Sequence, residues 1–314
     1  MVFPGQGSQA VGMLAALAEH YAPVRETFAE ASTVLGYDLW ERVSKGPEEA
    51  LNATACTQPA MLAAGVATWR AWRAAGGAEP ALVAGHSLGE FSALVCAGAL
   101  PFAAAIGLVR VRGELMQAAV PGGTGAMAAI LGLEPEALLE VCAQAAQGEV
   151  VEAVNFNGPG QIVIAGHASA VARAVAAAKE RGAKRALLLP VSVPSHSSLM
   201  RPAAERFRPY LAAVAFEAPR YTYISAVDAR EYRDPQQIRE LLGKQLASPV
   251  RWTETVLEII RRGAIQLLEC GPGKVLTGLN RRIGTRGQVS CAALEDPESI
   301  RAALGAGSGG GDAQ

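Results

Sequence analysis

Cysteine is scarce in this sequence, and the few that occur show no pairing pattern. The chain of 314 residues has five cysteines, an odd number, and no two of them stand in C-x-x-C spacing. These features disfavour a disulfide framework and a zinc site, and they are typical of a reducing compartment. We therefore expect a cytoplasmic protein without a bound metal. The cysteines, which we expect to be inert packing residues, are Cys56, Cys96, Cys142, Cys270 and Cys291.

The sequence also has almost no net charge and no long hydrophobic run. The formal net charge is −1, which gives no electrostatic reason to expect binding to nucleic acid or to an anionic membrane surface. No apolar run approaches the ~18 residues of a membrane span. The sequence does not open on the charged, apolar and cleavage regions of a secretory signal. We expect neither membrane insertion nor export.

Aromatic residues are few, whereas small aliphatic residues are plentiful. Aromatics make up 5% of the chain and hydrophobic residues 50%. This composition is typical of a globular protein, and the chain is long enough for one large or two modest domains.

The most informative motif is Gly85–Gly89, which fits G-x-S-x-G with Ser87 at its centre. The apolar residues 81–84 before it indicate a short buried strand, and residues 90–97 after it indicate a helix. A strand–turn–helix setting can hold a serine hydroxyl on a sharp elbow as a nucleophile. A plain structural turn is the alternative, because glycine and serine are common.

The order of predicted elements indicates an α/β fold in two parts. Strand-like and helix-like segments alternate through the first ~120 residues, which favours a parallel sheet. A β-α-β-β-α-β order follows, with strands at 126–131, 150–156, 161–165 and 185–189 and helices at 135–147 and 168–181. After Pro190 the α/β character resumes, with a helix at 253–262 and a strand at 265–269.

The predicted architecture is therefore a discontinuous α/β domain, α/β-hydrolase-like, with a ferredoxin-like domain inserted in it. The large domain takes residues 1–121 and 193–304, and the small domain takes residues 122–192. A cleft between two domains is a usual place for a ligand. The Gly/Ser-rich tail, residues 305–314, is expected to be disordered.

A nucleophilic serine needs a base, and the chain has four histidines. His86 lies inside the elbow, where its ring must point away from the serine hydroxyl, and His20 and His167 have ordinary settings. His196 follows two prolines that stiffen the chain as it leaves the small domain. His196 is the candidate base, and a loop histidine with no catalytic role is the alternative.

Arg112 lies on the apolar side of a helix predicted over residues 103–119. At about 100° per residue it falls about 40° from Leu108, inside the apolar arc that includes Met116. An isolated buried charge is very costly, so this guanidinium must be paired. Its partner is either an internal carboxylate or the carboxylate of a substrate, and the sequence leaves both open.

A glycine-rich loop at residues 3–9 can supply backbone amides to an oxyanion. The elbow itself supplies the amide of Leu88, so a second donor is needed, and Gln6 lies in the loop. A tight turn or a phosphate cradle would look the same, although the loop lacks the Lys-Ser/Thr ending of a P-loop.

Together these motifs resemble the malonyl-CoA:acyl carrier protein transacylases of bacterial type II fatty acid synthesis. The resemblance runs from Val2 to about Ala303 with the motifs in the family's order. One departure is Ser225-Ala226, where close relatives carry asparagines. The motifs that carry the resemblance are Gly5–Gln9, Gly85–Glu90, Arg112, Val193–His196, Gln245 and Ser248–Trp252.

The resemblance implies a ping-pong transfer of malonyl from malonyl-CoA to the phosphopantetheine thiol of acyl carrier protein, with no further cofactor. It implies Ser87 as nucleophile and His196 as base, and a backbone carbonyl near Gln245 that orients the histidine. Family habit also suggests a monomer. The implied oxyanion donors are the amides of Gln6 and Leu88, and the implied substrate-binding residues are Arg112, Gln245, Met116 and Ser195.

Three other functions remain open from the sequence. An α/β-hydrolase acting as an esterase or thioesterase would require an Asp or Glu partner for the histidine. A carrier-protein docking module would need a degenerate site. An acyltransferase working in trans for a polyketide synthase would share the fold and the mechanism.

Overall fold

A computed structural model describes residues 1–191, 193–284 and 289–308, which form two sheets surrounded by helices. The strands are β1 (Val2–Phe3), β2 (Leu82–Gly85), β3 (Gly125–Leu131), β4 (Val151–Gly158), β5 (Gln161–His167), β6 (Arg185–Leu188), β7 (Thr222–Ile224), β8 (Glu231–Tyr232), β9 (Gln266–Glu269) and β10 (Ser290–Ala293). The helices are α1 (Ala15–His20), α2 (Ala22–Leu35), α3 (Leu39–Lys45), α4 (Glu48–Asn52), α5 (Thr54–Ala74), α6 (Gly89–Cys96), α7 (Phe102–Gln117), α8 (Pro135–Ala146), α9 (Ala168–Glu180), α10 (Arg201–Ala212), α11 (Pro235–Gln245), α12 (Trp252–Arg261), α13 (Val275–Ile283) and α14 (Pro297–Ser308), with a 3-10 turn at Ser198–Met200.

The first sheet has six strands in the order β10-β9-β1-β2-β7-β8. Neighbouring strands run parallel except at the edge, where β8 is antiparallel to β7. The mixed α/β class with a largely parallel sheet is therefore confirmed. The carboxyl ends of β1 and β2 lie side by side, which brings the glycine-rich loop after β1 next to the elbow after β2.

The predicted alternation of strands and helices in the first ~120 residues is wrong. Between β1 and β2 the chain forms five helices, α1 to α5. Most of α5 is buried, where it packs against α2, α6 and α7. A helix that is apolar on every side has no clear periodicity, so its short apolar runs cannot be distinguished from buried strands by sequence pattern.

The second sheet has four antiparallel strands in the order β4-β5-β3-β6, with α8 and α9 packed on it. Its six elements occur in the predicted order β-α-β-β-α-β, and their bounds agree with the prediction to within about two residues. A hydrophobic cluster of its own lies between this sheet and its helices, around Leu138, Val141, Ile164 and Val171.

Backbone hydrogen bonds join the second sheet to the rest of the molecule at Val250. The amide of Phe156 on β4 donates to the carbonyl of Val250 at 2.9 Å, and the amide of Val250 donates to the carbonyl of Val154 at 2.8 Å. The hydroxyl of Thr253 donates to the carbonyl of Phe156 at 3.0 Å. The segment 250–253 is therefore an extra bridge along the edge of β4.

The predicted disorder of the tail is wrong for its first residues. Helix α14 continues to Ser308, so residues 305–308 are helical. A glycine in a helix costs only about 1 kcal/mol relative to alanine, and a helix already started at Pro297 can extend through it. Residues 309–314 of the predicted tail, and Ser192 at the predicted boundary, lie outside the described residues. In the part of the chain that is described, no helix has the length and apolarity to cross a membrane.

Candidate active site

Ser87 lies on the predicted elbow, between the end of β2 and the start of α6. Its φ of 52° is in the left-handed region, which is strained for a non-glycine residue. The two flanking glycines allow this turn. A Cβ on Gly85 would lie 1.9 Å from the backbone carbon of Gly89, and a Cβ on Gly89 would lie 2.1 Å from the carbonyl oxygen of Phe3. The strand–turn–helix prediction is confirmed.

His196 meets Ser87 from a segment far away along the chain. Its Nε2 atom lies 2.7 Å from the Oγ atom of Ser87. Its Nδ1 atom lies 3.0 Å from the carbonyl oxygen of Gln245 and 3.1 Å from that of Ser248. Because carbonyls only accept, Nδ1 carries the proton and Nε2 is free to accept one from the serine.

The environment keeps this imidazole neutral. Burial, reinforced by the positive charge of Arg112, lowers the pKa of His196 from 6.5 to about 3, against the effect of the two carbonyls. A neutral imidazole in contact with a serine hydroxyl can act as a general base. The partners of His196 in the described residues are a hydroxyl and two backbone carbonyls. The carboxylate partner that an α/β-hydrolase triad requires is not among them.

Arg112 reaches the same hydroxyl from helix α7, although only 1% of the residue is exposed. Its Nη2 atom lies 3.3 Å from Ser87 Oγ and donates at 2.9 Å to the side-chain oxygen of Gln245. Its Nη1 atom donates at 2.9 Å to the side-chain oxygen of Gln58. The Nε atom has no hydrogen-bond partner in the described structure.

Arg112 therefore forms no internal salt bridge within the described residues, which was one of the two alternatives. Its side-chain partners are two neutral amides and one hydroxyl, none of which compensates the charge. Burial lowers the pKa of Arg112 to about 10, partly opposed by the charge of Glu90, so the guanidinium is still positive at neutral pH. A buried cation without an anion in contact is a strong site for a carboxylate.

Two polar residues that the sequence reasoning missed complete this network, Gln58 on α5 and Glu90 on α6. Glu90 is fully buried and accepts from Gln245 Nε2 at 2.9 Å, from Ser225 Oγ at 2.9 Å and from the Tyr223 hydroxyl. Burial raises the pKa of Glu90 to about 7, against these hydrogen bonds. The sequence feature that could have revealed Glu90 is that it is the single acidic residue in the apolar run of α6.

The two residues expected to supply oxyanion donors are Gln6, in the wall of the same cleft as Ser87, and Leu88, the next residue of the elbow. Gln6 is in the glycine-rich loop, and a Cβ on its neighbour Gly5 would lie 2.5 Å from the carbonyl oxygen of His86. This close approach holds the loop against the elbow. Leu88 is buried at the N-terminus of α6.

A cleft of about 580 Å³ opens in front of the serine. Both sheets contribute to it, the first through the elbow and the glycine-rich loop and the second through β3, β4 and β5. Ser195 is part of its wall, whereas Met116 is buried behind Gln58, whose Nε2 atom lies 3.4 Å from the Met116 sulfur. The cleft is also lined by Gln6, Ser87, Asn155, Asn157 and His196.

His86 points away from the serine, as predicted. Its Nε2 atom lies 2.8 Å from the side-chain oxygen of Asn157 on β4, and its ring centre lies 5.6 Å from that of Trp252. Burial lowers the pKa of His86, so its role is to connect the elbow to the second sheet as a neutral side chain. No cluster of three or more His, Cys, Asp or Glu residues suited to a metal ion occurs in the described residues.

A strained serine, a neutral histidine and an uncompensated arginine define a nucleophilic site for an acyl group that carries a negative charge. The chain matches the acyl transferase domain family over residues 1–294. A malonyl CoA-acyl carrier protein transacylase from Salmonella typhimurium is 55% identical over 303 residues, which are 96% of this chain and 97% of that protein. The chain therefore belongs to the malonyl CoA-acyl carrier protein transacylase family of acyl transferases.

Solved structures agree with this membership. An acyl carrier protein S-malonyltransferase from Vibrio cholerae is 59% identical, with a TM-score of 0.92 over 96% of this chain and 98% of that one. A malonyl-transacylase solved in complex with a type II polyketide acyl carrier protein is 56% identical, with a TM-score of 0.95 over 98% of both chains.

Proposed function

We propose that this chain transfers the malonyl group from malonyl-CoA to the phosphopantetheine thiol of acyl carrier protein and so supplies malonyl carrier for fatty acid biosynthesis. The observation that carries this proposal is the convergence of two groups on Ser87 Oγ. A neutral histidine nitrogen lies 2.7 Å from it, and a guanidinium without a carboxylate partner in the described residues lies 3.3 Å from it. The relatives act on malonyl groups according to their names, which indicates the substrate. Arg112 accounts for the recognition of the free carboxylate of that substrate.

In the first half-reaction His196 Nε2 takes the hydroxyl proton while Ser87 Oγ attacks the thioester carbonyl of malonyl-CoA. The backbone amides of Gln6 and Leu88 would hold the oxyanion of the tetrahedral intermediate. When the intermediate collapses, the carbon–sulfur bond breaks and the leaving CoA thiolate takes the proton from His196. The product is a malonyl ester on Ser87.

The second half-reaction runs the same steps in reverse order with a different thiol. The phosphopantetheine thiol of the carrier gives its proton to His196 and attacks the ester carbonyl. The oxygen of Ser87 then leaves and recovers the proton from His196. Each half-reaction conserves the proton within the site, so no cofactor beyond the two substrates is proposed.

Arg112 would bind the free carboxylate of the malonyl group, and the other assigned residues would support it. Gln245 holds Nη2 of Arg112 through its side chain and His196 Nδ1 through its carbonyl. Met116 would act through its contact with Gln58, and Ser195 would border the acyl group in the cleft. A site built around a buried cation favours this acyl group over acetyl, which has no charge to offer.

We further propose a domain organisation that matches the sequence-based one. The large α/β-hydrolase-like domain would comprise residues 1–121 and 193–304, and residues 122–192 would form a ferredoxin-like domain. The separate four-stranded sheet with its own hydrophobic cluster supports this division. The partner would be acyl carrier protein, as in the complex of the 56% identical relative, and the protein would act as a cytoplasmic monomer.

Intact-protein mass spectrometry tests the proposed function. Mixing the protein with malonyl-CoA should give a stable malonyl adduct, which disappears on addition of phosphopantetheinylated acyl carrier protein. The Ser87→Ala variant should give no adduct. Rapid release of free malonate without an adduct would instead indicate a thioesterase. Comparing fatty acid and polyketide carriers as acceptors separates the two pathway roles.

A further inference from the structure

The fully buried Glu90 touches neither the cleft nor the reacting atoms, yet it is joined to them by a single side chain. Its Oε1 atom accepts from Gln245 Nε2 at 2.9 Å. The same Nε2 donates to the carbonyl oxygen of Ser87 at 2.9 Å, and the Oε1 atom of Gln245 accepts from Arg112 at 2.9 Å. One amide therefore connects a carboxylate, the elbow and the guanidinium.

The orientation of that amide is fixed by what faces it. An amide nitrogen has two N–H donors, and those of Gln245 are both used, on Ser87 and on Glu90. Rotation by half a turn would point the N–H groups at the Arg112 donors and the oxygen at the Glu90 carboxylate. Both contacts would then be repulsive, and in a buried network an unpaired polar atom is costly.

We propose that Glu90 is a positioning residue that fixes the side-chain amide of Gln245 and thereby aims Arg112 at the charged end of the acyl group. This inference rests on the proposed malonyl transfer and adds to it the residue that sets selectivity for a negatively charged acyl group. It assigns no contact between Glu90 and substrate.

The placement of Glu90 also solves an electrostatic problem. A lone buried guanidinium is unfavourable, but a carboxylate in direct contact would occupy the Nη atoms that the substrate needs. With one amide between them, Glu90 offsets part of the cost of burying Arg112 and leaves its Nη2 atom beside Ser87. Tyr223 and Ser225 donate to the other carboxylate oxygen and hold Glu90 in place.

The test compares two replacements of nearly equal size, Glu90→Met and Glu90→Gln. Methionine cannot accept from Gln245, whereas glutamine offers the same acceptor, and the Tyr223 and Ser225 hydroxyls can accept from its N–H group. The Glu90→Met variant should lower the ratio of malonyl to acetyl kcat/KM by roughly tenfold to a hundredfold, the scale of a lost hydrogen bond to a charged group. The Glu90→Gln variant should keep that ratio within about threefold of wild type.

Val24→Ala is the matched control for lost stability, because Val24 is a core residue of α2 away from the cleft. It should lower the unfolding midpoint and leave the selectivity ratio unchanged. A Glu90→Met protein with wild-type selectivity would overturn the proposal. So would a Glu90→Gln protein as unselective as Glu90→Met, since that would assign the effect to charge or packing instead of amide orientation.

A second variant covers the case in which Glu90→Met does not fold. Gln245→Met removes the amide itself and should reproduce the loss of selectivity. Where Glu90→Met does fold, adding it to Gln245→Met should change the ratio no further. Gln245→Met with wild-type selectivity also overturns the proposal. Failure of the wild-type protein to form a malonyl adduct is a different result, because it would reject the proposed function itself.

Discussion

Arg112 Nη2 and Ser87 Oγ lie 3.3 Å apart, with no carboxylate in contact with the guanidinium in the described residues. Under the proposed roles, a nucleophile at Ser87 and a carboxylate bound at Arg112 would be close enough to belong to one small acyl chain. A malonyl group places its free carboxylate two bonds from the carbonyl that the serine attacks. The spacing between the two side chains therefore suits a short dicarboxylic acyl group.

Replacing Arg112 with alanine should abolish this preference. We expect malonyl kcat/KM to fall by roughly a hundredfold or more, because a bidentate, charge-assisted contact is lost. Acetyl transfer should gain relative to malonyl transfer. Steady-state kinetics with both acyl-CoA donors measure the change.

Arg110→Ala is the control for Arg112→Ala, because Arg110 lies on the same helix and is exposed beside Glu114. It should keep wild-type selectivity. An unchanged malonyl preference in Arg112→Ala would show that the carboxylate binds elsewhere.

The protonation state of His196 gives a second prediction. Because its pKa is lowered to about 3, the imidazole should stay neutral with the proton on Nδ1 as the pH falls from 8 to 5. Nitrogen NMR of histidine-labelled protein can follow this directly, since the chain has only four histidines. His196→Gln assigns the signal.

Part of that lowering comes from Arg112, so Arg112→Met should raise the pKa of His196. The same titration on this variant should move the midpoint upward. A wild-type His196 that becomes protonated near pH 6.5 would contradict the buried, arginine-facing environment.

The buried carboxylate of Glu90 predicts a pH-dependent difference in stability. Its pKa is about 7 in the folded protein against an ordinary 4.5, so the folded state holds the proton more tightly. Stability from this group is greatest below pH 4.5 and is lost as the pH rises through 7. Glu90→Gln cannot ionise. The unfolding temperature of the variant minus that of wild type should therefore be larger at pH 8 than at pH 5.

Thermal unfolding of both proteins at the two pH values checks this. An equal difference between Glu90→Gln and wild type at pH 5 and pH 8 would mean that Glu90 does not titrate in this range.

The elbow gives a fourth prediction, on stability. Gly89→Ala places a Cβ 2.1 Å from the carbonyl oxygen of Phe3, and backbone on both sides must move to relieve the overlap. We expect a loss of at least about 3 kcal/mol in the free energy of unfolding, at the upper end of overpacking effects. Chemical denaturation measures it.

Gly107→Ala is the matched control, since Gly107 lies within helix α7 and a Cβ there meets nothing within 4 Å. This change should stabilise the protein by about 0.5–1 kcal/mol through helix propensity. If Gly89→Ala left the free energy of unfolding unchanged, the elbow would be able to relax by moving away from β1.

The contact between Ser87 and His196 and the order of elements in the small sheet could be predicted from the sequence, with a structural turn and a loop histidine left as alternatives. Ser87 and His196 could be recognised because their local settings, an elbow and a proline-stiffened segment, are visible in a few neighbouring residues. The elements from 125 to 188 could be predicted because their strands and helices have clear periods. The contact between the Gln245 carbonyl and His196 was implied only by the family resemblance. Every residue has a backbone carbonyl, so nothing in the sequence marks the one that lies near the histidine.

Other features depend on contacts between distant segments and leave no local pattern. Gln58 lies in a helix that is buried on every side, so nothing marked it as a partner of Arg112. The choice between an internal salt bridge and a substrate clamp needed the positions of all nearby carboxylates. Glu90 lies only three residues after Ser87, but its role depends on Gln245, which follows 155 residues later.

The segment 250–253, which joins the two sheets, begins close to His196. His196 Nδ1 bonds to the carbonyl of Ser248, and two residues further on Val250 is hydrogen-bonded to β4. The segment that fixes the edge of the four-stranded sheet is therefore continuous with the segment that orients the imidazole. The packing of the second sheet and the orientation of the imidazole therefore depend on the same short segment, residues 248–250.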